Sequence, residues 1–192
     1  MNLQEIENMK TDVLVLNLDN TPFDIWPWQK TMAKMFNERV MPIYNQDGTI
    51  IKHNKIIRDG KGNVYDLPAI VVLKDWVGTH SRQAPYTKRN IYARDMGQCQ
   101  YCGVQTTSSN RTVDHVIPRA HWNPRRYTFK LSSFENVVTC CRTCNLKKRD
   151  RTPQQANMTL IRKPSKITRA RAYHNKLKML RHIPDPWKPY IE

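Results

Sequence analysis

Two cysteine pairs, Cys99-Gln-Tyr-Cys102 and Cys141-Arg-Thr-Cys144, constrain this chain more than any other feature. A two-residue spacer lets two thiolates converge on one tetrahedral ion, and two such knuckles complete a closed four-sulfur zinc site. The competing reading is a disulfide framework, which belongs to oxidising compartments. Glu5 and Glu7 stand where a secretion signal would carry its basic segment, so the pattern favours zinc. The fifth cysteine, Cys140, adjoins a ligand; it is either a register alternative or, as expected here, a strand residue on the other face. The zinc would tie the start of the cysteine-bearing half to its far side, support that a core this small needs.

Charge divides the chain at the same place. Residues 1–84 hold ten Lys or Arg and ten Asp or Glu, so the whole net charge of +16 arises in residues 85–192. Between Arg142 and Arg181 the only acid is Asp150, against thirteen basic side chains. A surface like that releases counterions from a polyanion, which gives salt-sensitive and largely sequence-blind attraction to nucleic acid. A merely solvated basic face is the bland alternative. The longest apolar run, Ala69 to Leu73, is far too short to cross a bilayer, and no membrane partner is expected. A cytoplasmic location, in a bacterial cell or a phage-infected host, is the expectation.

The neutral half reads as a small α+β unit. Val13–Leu16 is a short buried strand, and Trp28, Met32, Met35 and Phe36 recur at helical spacing. Val40–Tyr44 and Ile50–Ile57 read as strands about the Asp47-Gly48 turn, a hairpin signal, and Pro68–Leu73 as another strand. After a boundary near His80 to Pro85, Thr87 can cap a helix that Gly97 terminates. Val113–Ile117 reads as a strand and Asn136–Cys140 as a second strand or a short helical turn, with a helix beginning near the second cysteine pair. Thr152-Pro153-Gln154-Gln155 is a capping box that predicts a further helix. Ile167, Ala170, Tyr173, Leu177 and Leu180 mark the apolar face of a basic C-terminal helix. Three segments follow: 1–84, a candidate docking or DNA-positioning unit; 85–160, with the knuckles; and 161–192, a basic helix and Pro-rich tail.

Between the knuckles, Asp114-His115-Val-Ile-Pro118 sets an acid beside an imidazole, Glu135-Asn136 precedes the second strand, and Asn145 and Lys148 follow the last cysteine. With Cys99-x-x-Cys102, Cys141-x-x-Cys144 and Thr152-Pro153, this pattern resembles the HNH endonuclease family of bacteria and their phages. Val13-Leu14-Val15-Leu16-Asn17 and Arg89–Asp95 are similar to stretches of members with an N-terminal extension. The resemblance implies an α+β fold: a ββα-metal (His-Me finger) nuclease core, a small N-terminal α+β extension and a basic C-terminal helix. It also implies that His115 is the general base and that Asp114 and Asn145 hold one catalytic Mg²⁺ or Mn²⁺. Asn136, in place of the family's middle histidine, would hold the loop and the base in position.

The chemistry agrees with those roles. Phosphodiester cleavage needs an in-line water, a group to take its proton, and charge compensation at the phosphate. Histidine is mostly neutral at physiological pH, and a hard ion prefers the oxygen ligands of Asp114 and Asn145. Adjacent residues of a regular strand point to opposite faces, so a bulge or a strand end is expected at Asp114–His115. A regular pair through both would count against the assignment. Arg119, Arg125 and Arg126 in the loop, with Lys147, Lys148, Arg149 and Arg151 after the last cysteine, are the candidate contacts to double-stranded DNA. The leading expectation is a metal-dependent DNA endonuclease. The alternative is a non-catalytic zinc-stabilised nucleic-acid-binding or accessory protein of a phage or bacterial assembly, with residues 1–84 docking a packaging or other partner.

Overall fold

The computed structural model describes residues 11–78 and 82–191. They divide into two compact units, one within Met1–His80 and Leu180–Glu192, the other within Ser81–Met179. The N-terminal residues read above for a secretion signal lie outside the described residues.

The first unit contains β1 (Asp12–Leu16), β2 (Pro22–Pro27), α1 (Trp28–Phe36), β3 (Val40–Pro42), β4 (Lys52–Arg58), β5 (Val64–Pro68) and β6 (Ile70–Leu73). Its main sheet has the order β2-β1-β6-β3, with β1 and β6 parallel and the other pairs antiparallel. Val13 to Leu16 are all fully buried, as a strand made only of Val and Leu with both faces covered should be. Val13 and Val15 pack with Phe23, Trp26, Met32, Val40, Leu67, Val71 and Leu73. The buried Asn17 side chain closes the unit by exchanging two hydrogen bonds with the backbone of Val77, at 3.0 and 3.1 Å.

The expected hairpin about Asp47-Gly48 forms only at its tip. Asn45 and Thr49 close the turn and Tyr44 bridges Ile50, but β3 then pairs with β6 while β4 pairs with β5. The apolar β3 completes the buried sheet, whereas the polar, largely exposed β4 has no face to bury there.

The second unit holds α2 (Lys88–Arg94), β7 (Arg111–His115), β8 (Val137–Cys141), α3 (Arg142–Lys148) and α4 (Arg169–Met179). Thr87 caps α2, its hydroxyl accepting the Asn90 N–H at 3.2 Å. Gly97 takes φ +66° just past the end of that helix, where an added Cβ would meet Gln105 at 2.9 Å. Ala84, Ile91, Phe134, Val137, Ile167 and Ala172 form the core, with Val113 against it. Of the expected stripe, Ile167 (ahead of the helix) and Tyr173 are buried, whereas Ala170, Leu177 and Leu180 are half-buried, and Ala172 and Lys176 are buried beside Tyr173.

The capping box at 152–155 forms both of its reciprocal bonds, 2.8 and 3.3 Å, yet ends after a single turn. Asn157, at φ +51°, closes it before any propagation can repay nucleation. The segment 161–192, set apart above as one tail, is divided: α4 belongs to the second unit and the end of the chain to the first. There α5 (Lys188–Ile191) follows a buried Trp187 whose indole N–H donates to the Ala69 carbonyl at 2.8 Å. An apolar side chain of that size gains by burial what a solvated tail would forfeit.

Candidate metal centre and nucleic-acid cleft

Strand β7, a loop, strand β8 and helix α3 follow one another as a ββα unit. Its second strand is braced by α2. The Arg94 guanidinium donates to the carbonyls of Phe134 and Val137, both at 2.6 Å, and pairs with Asp95. Asp95 in turn accepts the Thr139 N–H at 2.7 Å. The wide loop is pinned at its base by Asn136, which is fully buried. Its amide nitrogen donates to the carbonyls of Ile117 and Leu131, and its oxygen accepts the Ile117 N–H, at 2.9 to 3.1 Å. Each of these charged or amide groups is satisfied, which is what burial requires of them.

The Sγ atoms of Cys99, Cys102, Cys141 and Cys144 all lie within 4.8 Å of one another. Four thiolates about a tetrahedral ion at zinc–sulfur distance would stand about 3.8 Å apart, and Cys102 and Cys141 are at 3.9 Å. The donor set therefore fits a metal such as zinc. Cys141 also caps α3, its sulfur accepting the Cys144 N–H. Cys140 is a buried strand residue outside this group, its thiol on the Cys141 carbonyl. Burial raises the Cys99 thiol, but N–H groups of Cys102, Cys141 and Tyr101 outweigh it and bring it down to about 7. Burial and then the neighbouring sulfurs of Cys102, Cys141 and Cys99 push the Cys144 thiol up.

Beside the knuckles an open cleft of about 630 Å³ is lined by Asp114, His115, Pro118, Arg119, Asn145 and Arg149, with Val113, Ala120 and Asp150. Of the two irregularities expected at Asp114–His115, the bulge is absent and the strand end is present, and the regular pairing of both residues counts against the assignment. The ladder pairs Asp114 with Val138 and His115 with Val137 without a register shift, and β7 ends at His115. The two side chains accordingly find different partners. Asp114 turns to the interior, while His115 Nε2 lies 3.3 Å from Ser132 Oγ. Both still line the cleft, which opens where the strand stops.

Asp114 is held on both oxygens. Tyr101 Oη donates to Oδ2 at 2.6 Å, and Lys148 Nζ lies 3.2 Å from Oδ1 and 3.0 Å from Oδ2. Burial and the Asp114 charge push the Tyr101 phenol up, so it remains the donor. Lys148, assigned above to the DNA face, is fully buried and also donates to the His115 carbonyl at 2.7 Å. A side chain with no accessible surface cannot meet a phosphate; this lysine neutralises a buried carboxylate instead. Arg119, Arg125, Arg126, Lys147, Arg149 and Arg151 are exposed, and of these Arg119 and Arg149 reach the cleft. Arg149 does so from a backbone at φ +54°, ψ −132°, a conformation costly for any residue with a Cβ.

Residues 99–161, spanning both knuckles, β7, β8 and α3, match the HNH endonuclease family. This segment is an HNH endonuclease domain. The chain is also similar to the CRISPR-associated endonuclease Cas9 of Corynebacterium diphtheriae, 39% identical over 51 residues. That match covers 27% of this chain and 4% of that protein. No solved structure matches the chain. The α+β architecture agrees with the HNH domain's ββα core, and no helix among the described residues is long and apolar enough to cross a membrane.

Tyr101, which bonds Asp114, and the Arg94–Asp95 pair, which braces β8, were not among the candidate site residues of the sequence reading. The position of Tyr101 inside the first C-x-x-C was a usable signal, because a knuckle side chain is held as firmly as its flanking cysteines.

Proposed function

We propose that the protein is a metal-dependent endonuclease that hydrolyses phosphodiester bonds in DNA, in the cytoplasm of a bacterial or phage-infected cell. The observation that carries the reading is the single cleft lined by His115, Asp114, Asn145 and two exposed arginines. His115 is the general base. In the tautomer whose Nε2–H donates to Ser132 Oγ, 3.3 Å away, Nδ1 keeps the lone pair that accepts a water proton. Asp114 and Asn145 are the residues that would hold a Mg²⁺ or Mn²⁺ ion, which when bound compensates charge on the phosphate and leaving oxygen. Arg119 and Arg149 fix the phosphate, and Asn136 holds the loop that carries Arg119. Zinc in the four-cysteine site keeps the ββα frame closed. Residues 1–84 serve to dock a protein partner or to position DNA.

The test is cleavage of supercoiled plasmid by zinc-loaded protein with Mg²⁺, with Mn²⁺ and with EDTA. Ion-dependent relaxed or linear product is expected, and its absence with every ion would leave a zinc-stabilised DNA-binding module. Two observations favour that second reading: Asp114 is already satisfied by Tyr101 and Lys148, as in a purely structural network, and the ladder runs regularly through Asp114 and His115.

The pH dependence has a defined sign. Burial lowers the His115 pKa from its ordinary 6.5; Asp114 opposes this, and Lys148 and Arg119 reinforce it. The base must be neutral, so activity is lost as pH falls through a value below 6.5. Between pH 7 and 8 this group leaves the rate flat. Single-turnover rates at saturating ion measure the limb, and a midpoint well above 6.5 would remove His115 from the base role.

A further inference from the structure

Tyr101 sits between two of the four clustered cysteines, and its ring packs against Cys99, Cys140 and Cys141. The same turn is tied to β8 by the Gln100 N–H donating to the Thr139 carbonyl at 2.9 Å. From this fixed turn the phenol reaches Asp114 Oδ2 at 2.6 Å, the shortest of the three contacts on that carboxylate. A carboxylate offers two acceptor directions on each oxygen. Oδ2 accepts the Tyr101 hydroxyl and Oδ1 accepts the Lys148 ammonium, whose Nζ also lies 3.0 Å from Oδ2. Tyr101 is thus bonded to one oxygen alone, which fixes how the carboxylate is turned.

We propose that Tyr101 is a positioning residue for the catalytic ion: its hydroxyl holds Oδ2 of Asp114 and so fixes the orientation in which that carboxylate would meet the ion. The inference rests on the reading of Asp114 and Asn145 as the ion's ligands. It makes the sulfur-bound knuckle and the catalytic ion site one mechanical unit, joined through a single O–H···O bond. Lys148 acts differently, as the charge partner that makes a buried carboxylate tolerable, and does not choose between the two oxygens as sharply, since it touches both. A hydrogen-bond partner of a metal ligand typically sets affinity by 10–100-fold.

The experiment is Mn²⁺ titration of the full-length, zinc-loaded protein without DNA, followed by electron paramagnetic resonance, for wild type, Tyr101→Phe and Asp114→Asn. Zinc content is measured on the same samples. Tyr101→Phe keeps the ring, and is expected to retain its zinc while weakening Mn²⁺ binding by about 10–100-fold. Asp114→Asn is expected to abolish binding at that site. Wild-type Mn²⁺ affinity in Tyr101→Phe, with Asp114→Asn impaired, would overturn the role of the phenol and leave the ion site standing. Equal binding by wild type and Asp114→Asn would instead overturn the ion-site reading itself. Loss of zinc from Tyr101→Phe would assign the hydroxyl to holding the knuckle, and would also sink the proposal.

Discussion

His115→Ala is expected to lower plasmid cleavage by about 10²–10⁴-fold, the range a positioned general base supplies, while DNA affinity stays within a few-fold of wild type. The imidazole is half-exposed and its one side-chain partner, Ser132, is held at 3.3 Å, so little packing is lost with it. Phosphate attraction comes from the exposed arginines and lysines, none of which depends on the ring. Single-turnover cleavage and fluorescence anisotropy on the same duplex separate the two effects. Undiminished cleavage by the variant would place the base elsewhere. Asp114→Ala is a poorer probe, because it strands the Lys148 ammonium with no accessible surface. Breaking a buried pair from one side costs roughly 3–5 kcal/mol, so Asp114→Asn, which keeps an oxygen for Tyr101 or Lys148, is the better variant.

Removal of a metal from the four-cysteine site is the second large effect expected. Binding of structural zinc contributes about 10–16 kcal/mol to folding, at least as much as a domain's usual net stability of roughly 5–15 kcal/mol. All five cysteines lie between residues 99 and 144, inside the second unit. The core there is a small cluster built around Ile91, Phe134 and Val137. A strong chelator, or Cys141→Ser with Cys144→Ser, is expected to unfold residues 82–179 and to abolish cleavage. The first unit, with its cysteine-free sheet, should stay folded. Limited proteolysis read by mass spectrometry distinguishes the two regions. Protection of 82–179 in metal-free protein would show that the sulfurs are dispensable.

The local devices were legible wherever one residue decides the geometry. Thr87 caps its helix because a short hydroxyl reaches the third N–H, and the C-x-x-C turns converge because their spacing permits little else. The spacing of Asp114, His115 and Asn145 could be read, but their common cleft is a product of tertiary folding. What could not be read depended on competition between partners. The Asp47-Gly48 turn forms as its letters demand, yet its two strands leave for sheets the turn knows nothing of. The capping box at Thr152 is chemically complete, but a cap supplies no apolar face and the helix stops. Lys148 read as a DNA contact because it stands in a run of basic residues after the last cysteine; only the hairpin's approach to α3 turns it inward onto Asp114. The regular ladder through Asp114 and His115 counts against the paired assignment; the strand end at His115 is the one expected irregularity that is present.

The Lys148–Asp114 pair has a consequence for the order in which the components assemble. With that carboxylate already offset, the fixed charges around the cleft are Arg119 and Arg149 against Asp150, so a phosphate meets a surplus of positive charge before any divalent ion arrives. On the proposed reading, nucleic acid would load first and the ion last. Duplex affinity in EDTA should match that in Mg²⁺ within a few-fold, and a metal-free, uncut complex should form on mixing and begin to react only when the ion is added.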